Sequence, residues 1–172
     1  AWAQLWAVSG ELDVTEVRVA SRASASRDAL ARRARLELGL AAVAAPSPRE
    51  AVEGAGVVLL ATTSPTPVIE DGWLTEDVLV HTVGPKQVDR CEFPLDLVTG
   101  AALVVTDSPA QLAAYEPSAL VAARGDLARV VDLADVVGGR RPGCRTGRRV
   151  YLSVGLAGSE AALLHHLAAG GS

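Results

Sequence analysis

Small and polar side chains follow apolar runs at several places in this sequence, where they could contact a ligand. Three such groups are Ser21, Arg22 and Ser24; Thr62, Thr63 and Ser64; and Gly84 and Lys86. Hydroxyl groups bond sugars and phosphates, and a guanidinium pairs with a phosphate through two hydrogen bonds. Lys86 is the only lysine of the chain, and an ammonium can hold a carboxylate or donate a hydrogen bond. Which chemistry is possible depends on whether the fold brings these groups together.

The elements that must position these residues are short β-rich runs that alternate with helical patterns. The β-rich runs are EVRVA (16–20), LAAVA (40–44), VVLLAT (57–62), DVLVHTVG (77–84), ALVVTD (102–107) and VYLSVG (150–155). A helical pattern covers 24–39, and SPRE (47–50) and SPAQ (108–111) are typical helix starts with a Ser cap and Pro in the first turn. The alternation predicts an α/β fold, a doubly wound parallel sheet of the Rossmann type. Ligands bind such sheets beyond the carboxyl ends of the strands, where the three groups lie.

Two further expectations concern the strands themselves. VVLLAT and DVLVHTVG are continuous apolar runs, as expected of strands buried on both faces of a parallel sheet. The usual dinucleotide-binding fold opens with a strand and a Gly-x-Gly-x-x-Gly turn, whereas this sequence opens with the helical pattern AWAQLWAV. We therefore expect the central strand to be lacking, with a gap of roughly 10 Å between EVRVA and VVLLAT. Since each strand would present an unpaired apolar edge, we expect these 172 residues alone to be poorly stable or to aggregate.

The domain organisation follows from the same pattern. Residues 1–149 are predicted to form a nucleotide-binding Rossmann-like domain that is incomplete at its N-terminus. Residues 150–172 are predicted to be the last strand and a C-terminal helix.

Composition excludes several classes of function. The net charge is −4, and no basic stripe is interleaved with aromatic residues, so nucleic-acid binding is not expected. Cys91 and Cys144 match no metal-ligand spacing, and no metal site is expected. No apolar run approaches 20 residues, so we expect no membrane span and a cytoplasmic protein.

The residues after EVRVA indicate which dinucleotide would bind. An enzyme that prefers NAD places Asp or Glu here to hold the ribose 2′-hydroxyl, but this chain has Ser21, Arg22 and Ser24. A guanidinium pairs with the 2′-phosphate of NADP, and a charge-assisted contact of about 1.5–3 kcal/mol corresponds to a preference of roughly tenfold to a hundredfold. The sequence therefore favours NADP(H), with NAD(H) possible. The alternative is that Arg22 is a solvated cation at a strand end.

The run ATTSPTPVI (61–69) ends a strand in small hydroxyl residues. Thr62, Thr63 and Ser64 would let a cofactor approach the backbone and would bond its ribose or phosphates. A simple proline-rich turn is the alternative.

His81 is expected to be a half-buried strand residue and not a catalyst, and the arginines of 140–149 are expected to lie in a solvated loop.

Taken in order, six segments resemble the ornithine cyclodeaminase/mu-crystallin family, and together they cover nearly the whole chain. These segments are AWAQLWAV, VRVASRASASRDALA, GAGVVLLATTSPTPVIEDGWL, VLVHTVGPKQVDRCEF, LVVTDS and VVGGRRPGCRTGRRVYLSVGLA. The resemblance implies a protein of two domains, usually a homodimer, with a Rossmann domain inserted in a substrate domain. It also implies that residues 150–172 return toward this substrate domain, most of which is absent here. Its members deaminate and cyclise ornithine, oxidise or reduce amino acids such as alanine, or reduce cyclic ketimines with NAD(P)H. It implies that Val83 and Gly84 line the cofactor, and that Val154 and Gly155 lie near the nicotinamide.

The sequence departs from this family at two positions. Ornithine cyclodeaminases carry an aspartate two residues after the glycine that matches Gly84, and this chain has Lys86 there. A cation would repel the terminal ammonium of ornithine, which argues against cyclodeaminase activity. Leu152 stands where the family commonly has lysine. Our hypothesis is that Lys86 is a catalytic residue that faces the substrate and steadies a carboxylate or donates a hydrogen bond during imine reduction. The alternative is an ion pair with Asp89 or Glu92 at the rim.

The sequence thus predicts an NADP(H)-dependent oxidoreductase that reduces a cyclic or linear imine or oxidises a small amino acid. These 172 residues alone are expected to be inactive. Three alternatives are an ornithine cyclodeaminase that uses NAD catalytically, a non-catalytic protein that binds NADPH and a small ligand, and, less favoured, another Rossmann enzyme such as a relative of shikimate dehydrogenase.

Overall fold

The computed structural model describes residues 1–155, in which strands and helices alternate as the sequence predicts. The strands are β1 Val17–Val19, β2 Ala42–Ala44, β3 Val57–Leu60, β4 Leu79–Thr82, β5 Lys86–Gln87, β6 Arg90–Cys91, β7 Leu103–Thr106, β8 Val130–Asp132 and β9 Arg149–Leu152. The helices are α1 Trp2–Glu11, α2 Ser24–Leu38, α3 Pro48–Val52, α4 Leu95–Thr99, α5 Pro109–Ala113, α6 Leu120–Ala123 and α7 Leu133–Val137. Short 3-10 helices lie at Asp71–Trp73 and Asp126–Arg129.

A parallel sheet of five strands, in the order β3-β4-β9-β7-β8, forms the centre of the structure. The strand β9 is inserted between β4 and β7, although it is the last of these strands in the chain. The last residues of neighbouring strands are aligned, since Leu60, Thr82, Leu152 and Thr106 are partners in the register. The predicted α/β Rossmann-like architecture is therefore confirmed, and the carboxyl ends of four strands meet at one edge.

The strands β1 and β2 form a separate parallel pair that has no ladder hydrogen bonds to β3. A cavity of about 840 Å³ is lined by residues of β1 and β3, at the place where the sequence predicts a gap because the central strand is lacking. Arg18 of β1 links the pair to the rest of the fold, because its Nη1 donates hydrogen bonds of 2.8 Å to the carbonyl oxygens of Glu50 and Glu53 at α3.

The two faces of the five-stranded sheet differ in burial. Val58, Val80 and Val150 are register partners on one face and are buried in the main core. On the other face His81 stacks on Tyr151, with ring centroids 4.5 Å apart, and both residues are only half-buried. The expectation that these strands are buried on both faces was therefore wrong. His81 is half-buried in a strand, as expected, and the expectation that it is not a catalyst stays a prediction.

Local sequence signals set the helix starts as expected. Ser47 accepts a hydrogen bond from the backbone N–H of Glu50 at the start of α3, and Ser108 accepts one from Gln111 at the start of α5. Each cap satisfies a donor that the first helical turn leaves without a partner.

Three arginines of the stretch 140–149 form ion pairs, the first of which joins the exposed Arg140 to Asp135. Arg148 forms an ion pair with Asp71, and Arg149 of β9 pairs with Asp77, which corrects the expectation of a solvated loop at its C-terminal end. These last two pairs fasten the start of β9 to the segment that precedes β4.

The sequence predicts neither a metal site nor a membrane span. Within 1–155 no group of three or more His, Cys, Asp or Glu side chains is arranged to hold a metal ion. No helix in this part of the chain has both the length and the apolar composition to cross a bilayer. The C-terminal helix predicted near 156–168 lies outside the described residues, and the assignment of 150–172 to a return toward a second domain stays a prediction.

Candidate functional site

A cavity of about 580 Å³ opens at the carboxyl edge of the sheet, where β3, β4 and β9 end. Its lining residues are Thr62, Thr63, Val83, Gly84, Pro85, Lys86, Gln87, Arg90, Tyr115, Ser153, Val154 and Gly155. Seven residues that the sequence predicts for the site are thus brought together from three separate segments. Four further lining residues were not predicted from the sequence: Gln87, Arg90, Tyr115 and Ser153. The first three follow no strand-end or glycine signal of their own, whereas Ser153 directly follows β9.

The larger cavity between β1 and β3 continues this edge. It is lined by Ser21, Arg22 and Ser64 among others, and it shares Thr62 and Thr63 with the first cavity. Ser24, the first residue of α2, lines neither cavity. The two cavities therefore lie on either side of the end of β3, one lined by the end of β1 and the other by the residues that follow β9.

Arg22 lies at the β1 end of the larger cavity. Its side chain is exposed, and it forms no ion pair with any acidic group of residues 1–155. A guanidinium without a protein partner is available to an anionic ligand.

Glu92 clamps the ends of β3 and β4 together. Its side chain is 0 % exposed, and one carboxylate oxygen accepts hydrogen bonds from the backbone N–H and the hydroxyl of Thr62, at 2.9 and 2.8 Å. The other oxygen accepts from the backbone N–H of Gly84 at 2.6 Å. Three hydrogen bonds to one buried carboxylate fix the spacing of two strand ends that line the cavity.

The close packing of this carboxylate explains why residue 84 is glycine. A Cβ at this position would overlap the carbonyl oxygen of Thr62 and the carboxylate of Glu92. The carboxylate of Glu92 and the end of β3 therefore pack directly against the backbone of Gly84. No short pattern in CEFPL marks Glu92 as a clamp, since its role depends on the hairpin β5–β6 folding back onto the sheet edge.

Asp107, the residue after β7, orients the loop that follows β9. Its two carboxylate oxygens accept hydrogen bonds from the backbone N–H groups of Val154 and Gly155, at 2.8 and 3.0 Å. The hydroxyl of Ser153 lies 3.3 Å from the second oxygen. This carboxylate therefore holds one wall of the cavity, at the segment expected near the nicotinamide.

Lys86 is 3 % exposed and lines the cavity from the hairpin. Its Nζ donates a 2.7 Å hydrogen bond to the carbonyl oxygen of Gly84. Burial lowers the pKa of Lys86, and the charges of Glu92, Cys91 and Asp107 oppose that shift only in part. Among residues 1–155 Lys86 has no carboxylate within 4.0 Å, so the ion pair with Asp89 or Glu92 is not formed. The catalytic role of Lys86 stays a prediction.

Two other titratable groups lie close to this site. Burial raises the pKa of Tyr115, and the charge of Asp107 acts in the same direction. Burial lowers the pKa of His81, and Nε2 of its ring is buried without a hydrogen-bond partner in the described chain. Both shifts favour the neutral form of the side chain. Lys86 and Arg90 are the two basic side chains among the described residues that line the cavity.

Comparison with known proteins places this geometry in a family. The model of the ornithine cyclodeaminase/mu-crystallin family matches residues 1–167. A Δ1-pyrroline-2-carboxylate/Δ1-piperideine-2-carboxylate reductase of Azospirillum brasilense is 40% identical over 101 residues, which are 59% of this chain and 31% of that protein.

Solved structures agree with the family match. The Δ1-pyrroline-2-carboxylate reductase of Thermococcus litoralis, in complex with NADH and L-proline, has a TM-score of 0.81 and 26% identity, covering 95% of this chain and 55% of the other. A lysine cyclodeaminase has a TM-score of 0.81 and 26% identity, covering 95% and 47%. The chain thus spans about a third to just over half of the length of these relatives.

Proposed function

Because the chain belongs to the ornithine cyclodeaminase/mu-crystallin family, we propose that it is the nucleotide-binding part of an NADP(H)-dependent oxidoreductase. The reaction is the reduction of a cyclic or linear imine, or the oxidation of a small amino acid. The observation that carries this proposal is a pair of cavities that share Thr62 and Thr63 as lining residues. Arg22 lines one cavity and Lys86 lines the other.

The residues of the two cavities fit a dinucleotide. The two cavities share Thr62 and Thr63, and a dinucleotide bound across the end of β3 would contact both of them. A bound nicotinamide would supply or accept the hydride. Small residues and backbone groups line the β9 end, where a flat ring needs close approach, and Arg22 is available to a phosphate at the other end.

The residues of this chain hold the walls of the cavity in position and offer groups that can bind the substrate. Glu92 and Asp107 fix the strand ends and the loop that line the cavity, through hydrogen bonds to backbone N–H groups. Lys86 places a donor at the cavity wall, where it can hold a substrate carboxylate or hydrogen-bond the reacting nitrogen. The remaining substrate contacts would come from residues outside this chain, in a protein that we propose to be a cytoplasmic homodimer.

The preference for NADP(H) rests on Arg22 and on the lack of Asp or Glu after β1. The reductase of T. litoralis was solved with NADH, so relatives of this fold accept a nicotinamide cofactor without the 2′-phosphate. The cofactor preference of this chain is therefore part of the proposal.

The second candidate is a cyclodeaminase, which the similarity to a lysine cyclodeaminase favours. A diamino acid carries a terminal ammonium, and the cation of Lys86 in the cavity would repel that group. The buried position of Lys86 makes the repulsion stronger than at a solvated rim, because the local dielectric constant is lower. A protein that binds NADPH and a small ligand without turnover is the third candidate.

Spectroscopy of the reduced nicotinamide separates the three candidates. The full-length protein is mixed with NADPH and Δ1-pyrroline-2-carboxylate, and with NADP⁺ and L-proline or L-alanine. The proposal predicts net oxidation of NADPH or net reduction of NADP⁺. Ammonia release from ornithine or lysine without net change would instead show a cyclodeaminase, and NADPH binding without turnover would show a binding protein.

A further inference from the structure

The segment that joins α5 to α6 forms one wall of the first cavity. Tyr115 lies in this segment and lines the cavity. Before it, Nε2 of Gln111 in α5 donates a 3.0 Å hydrogen bond to the carbonyl oxygen of Val154, in the loop after β9. After it, the carbonyl oxygen of Ser118 accepts a 3.0 Å hydrogen bond from the backbone N–H of Val88, in the turn of the hairpin β5–β6. Tyr115 is thus carried by a stretch of chain that is tied on both sides to elements that form other walls of the cavity.

Packing also holds the side chain of Tyr115 in place. Its ring is half-buried and packs against the main core. Further along the same segment Ala119 is 0 % exposed and forms a β-bridge with Gln87 of the hairpin. Tyr115 is the one aromatic residue among the described residues that line the first cavity. Moving its ring aside would disturb core packing and backbone contacts together, so the ring is a fixed wall of the cavity.

The order of the strands places Tyr115 away from the side on which the cofactor would enter. Thr62 and Thr63, which line both cavities, follow β3 at one edge of the five-stranded sheet. Tyr115 lines the first cavity alone and belongs to the chain after β7, which lies beyond β4 and β9 in the sheet. Burial and the charge of Asp107, the residue after β7, raise the pKa of its phenol. A dinucleotide that crosses the end of β3 and places its nicotinamide near Val154 would therefore leave the Tyr115 side of the cavity for the substrate.

We propose that Tyr115 is a specificity-determining residue, whose ring bounds the substrate side of the first cavity and limits the size of the substrate side chain. This inference rests on the proposed oxidoreductase function, with an imino or amino acid as the substrate. The ring takes no part in bond changes, because it contacts the side chain of the substrate and not the reacting carbon or nitrogen. Tyr115 and Lys86 therefore act on different parts of the same substrate.

The test compares two imines that differ in the bulk of the side chain. Phenylpyruvate and pyruvate are each supplied to the full-length protein in ammonium buffer with saturating NADPH, and kcat/KM is measured for both. Tyr115→Ala should raise the ratio of phenylpyruvate to pyruvate by roughly tenfold to two-hundredfold, the range by which an apolar pocket discriminates against a group too large for it. Tyr115→Leu should raise the ratio less, and Tyr115→Phe, which keeps the ring, should leave it unchanged. Leu36→Ala, at an exposed position outside both cavities, is the control and should also leave it unchanged.

Two results would overturn the inference while imine reduction stands. One is a ratio that stays the same or falls in both Tyr115→Ala and Tyr115→Leu. If NADPH also binds these variants more weakly, the ring belongs to the nicotinamide site instead. The other result is an equal rise in Tyr115→Phe and Tyr115→Ala, because the hydroxyl and not the ring would then set the limit. A folding defect lowers kcat/KM for both imines alike, so the ratio separates such a defect from a change in selectivity.

Failure to reduce either imine with NADPH or NADH would count against the proposed function. The size limit at Tyr115 is then decided by calorimetric titration of the full-length protein with 3-phenylpropionate and with propionate. Binding of 3-phenylpropionate that Tyr115→Ala strengthens relative to propionate supports the limit. An unchanged ratio of the two dissociation constants, or binding of neither acid, contradicts it.

Discussion

Replacing Glu92 with Gln tests the account of the site edge, because the exchange keeps the size of the side chain and removes one acceptor. The carboxylate accepts from two backbone N–H groups and a hydroxyl, those of Thr62 and Gly84. The amide oxygen of Gln can serve one of the two strand ends, and its NH₂ group then faces an N–H donor at the other. One buried backbone N–H is left without an acceptor, which costs about 1–3 kcal/mol.

The expected effect is measurable by thermal unfolding. In the full-length protein, Glu92→Gln should lower the free energy of unfolding by about 1–3 kcal/mol, and the Tm should fall with it. Asp89→Asn is the matched control, since Asp89 lies in the turn of the same hairpin but is exposed and makes no side-chain hydrogen bond in the described chain. The control should unfold within about 1 °C of the parent protein, as surface substitutions change stability by little. Equal Tm values for Glu92→Gln and the parent would refute the clamp.

Three further predictions concern the same edge. Gly84→Ala would force a Cβ onto the carboxylate of Glu92, and we expect a loss of about 1–3 kcal/mol in the free energy of unfolding, measured with urea. The control Gly72→Ala should lose much less, because nothing lies within 4 Å of its Cβ position. Asp107→Asn leaves one backbone N–H of the loop after β9 without an acceptor. The affinity for NADPH, measured by fluorescence, should therefore fall. A variant that loses stability but keeps its affinity for NADPH would contradict the proposed role of Asp107. Burial lowers the pKa of Lys86, and a carboxylate pairs only with its protonated form. KM for an anionic substrate should therefore be low below that pKa and rise as pH increases through it, and Lys86→Arg should remove the rise.

The sequence was sufficient for the elements and for much of the site edge. The Ser-Pro starts of α3 and α5 are local signals, and the structure uses both serines as caps. Residues after the apolar runs meet at one edge because parallel strands align their carboxyl ends, a property of the sheet and not of any one residue. This is why Thr62 and Lys86, which follow different strands, could be assigned to one site, whereas Val154 was assigned from the family resemblance.

Other features depend on tertiary contacts that no local pattern encodes. The position of β9 between β4 and β7 is set by which strands pair, so it does not follow from chain order. Continuous apolar runs predicted burial on both faces, yet one face carries His81 and Tyr151 and is half-buried. The clamp of Glu92 and the burial of Lys86 both require the hairpin β5–β6 to fold back onto the edge, and its two-residue strands carry no period that a sequence reveals.

The most direct test of the central claim is a titration of the full-length protein with NADPH and with NADH. The account predicts tighter binding of NADPH by roughly tenfold to a hundredfold, from one charge-assisted contact at the end of β1. Arg22→Ala should bring the ratio of the two dissociation constants toward one, and Arg32→Ala, an exposed arginine on α2 outside both cavities, should not. Preference for NADH in the parent protein, or binding of neither nucleotide, would contradict the account.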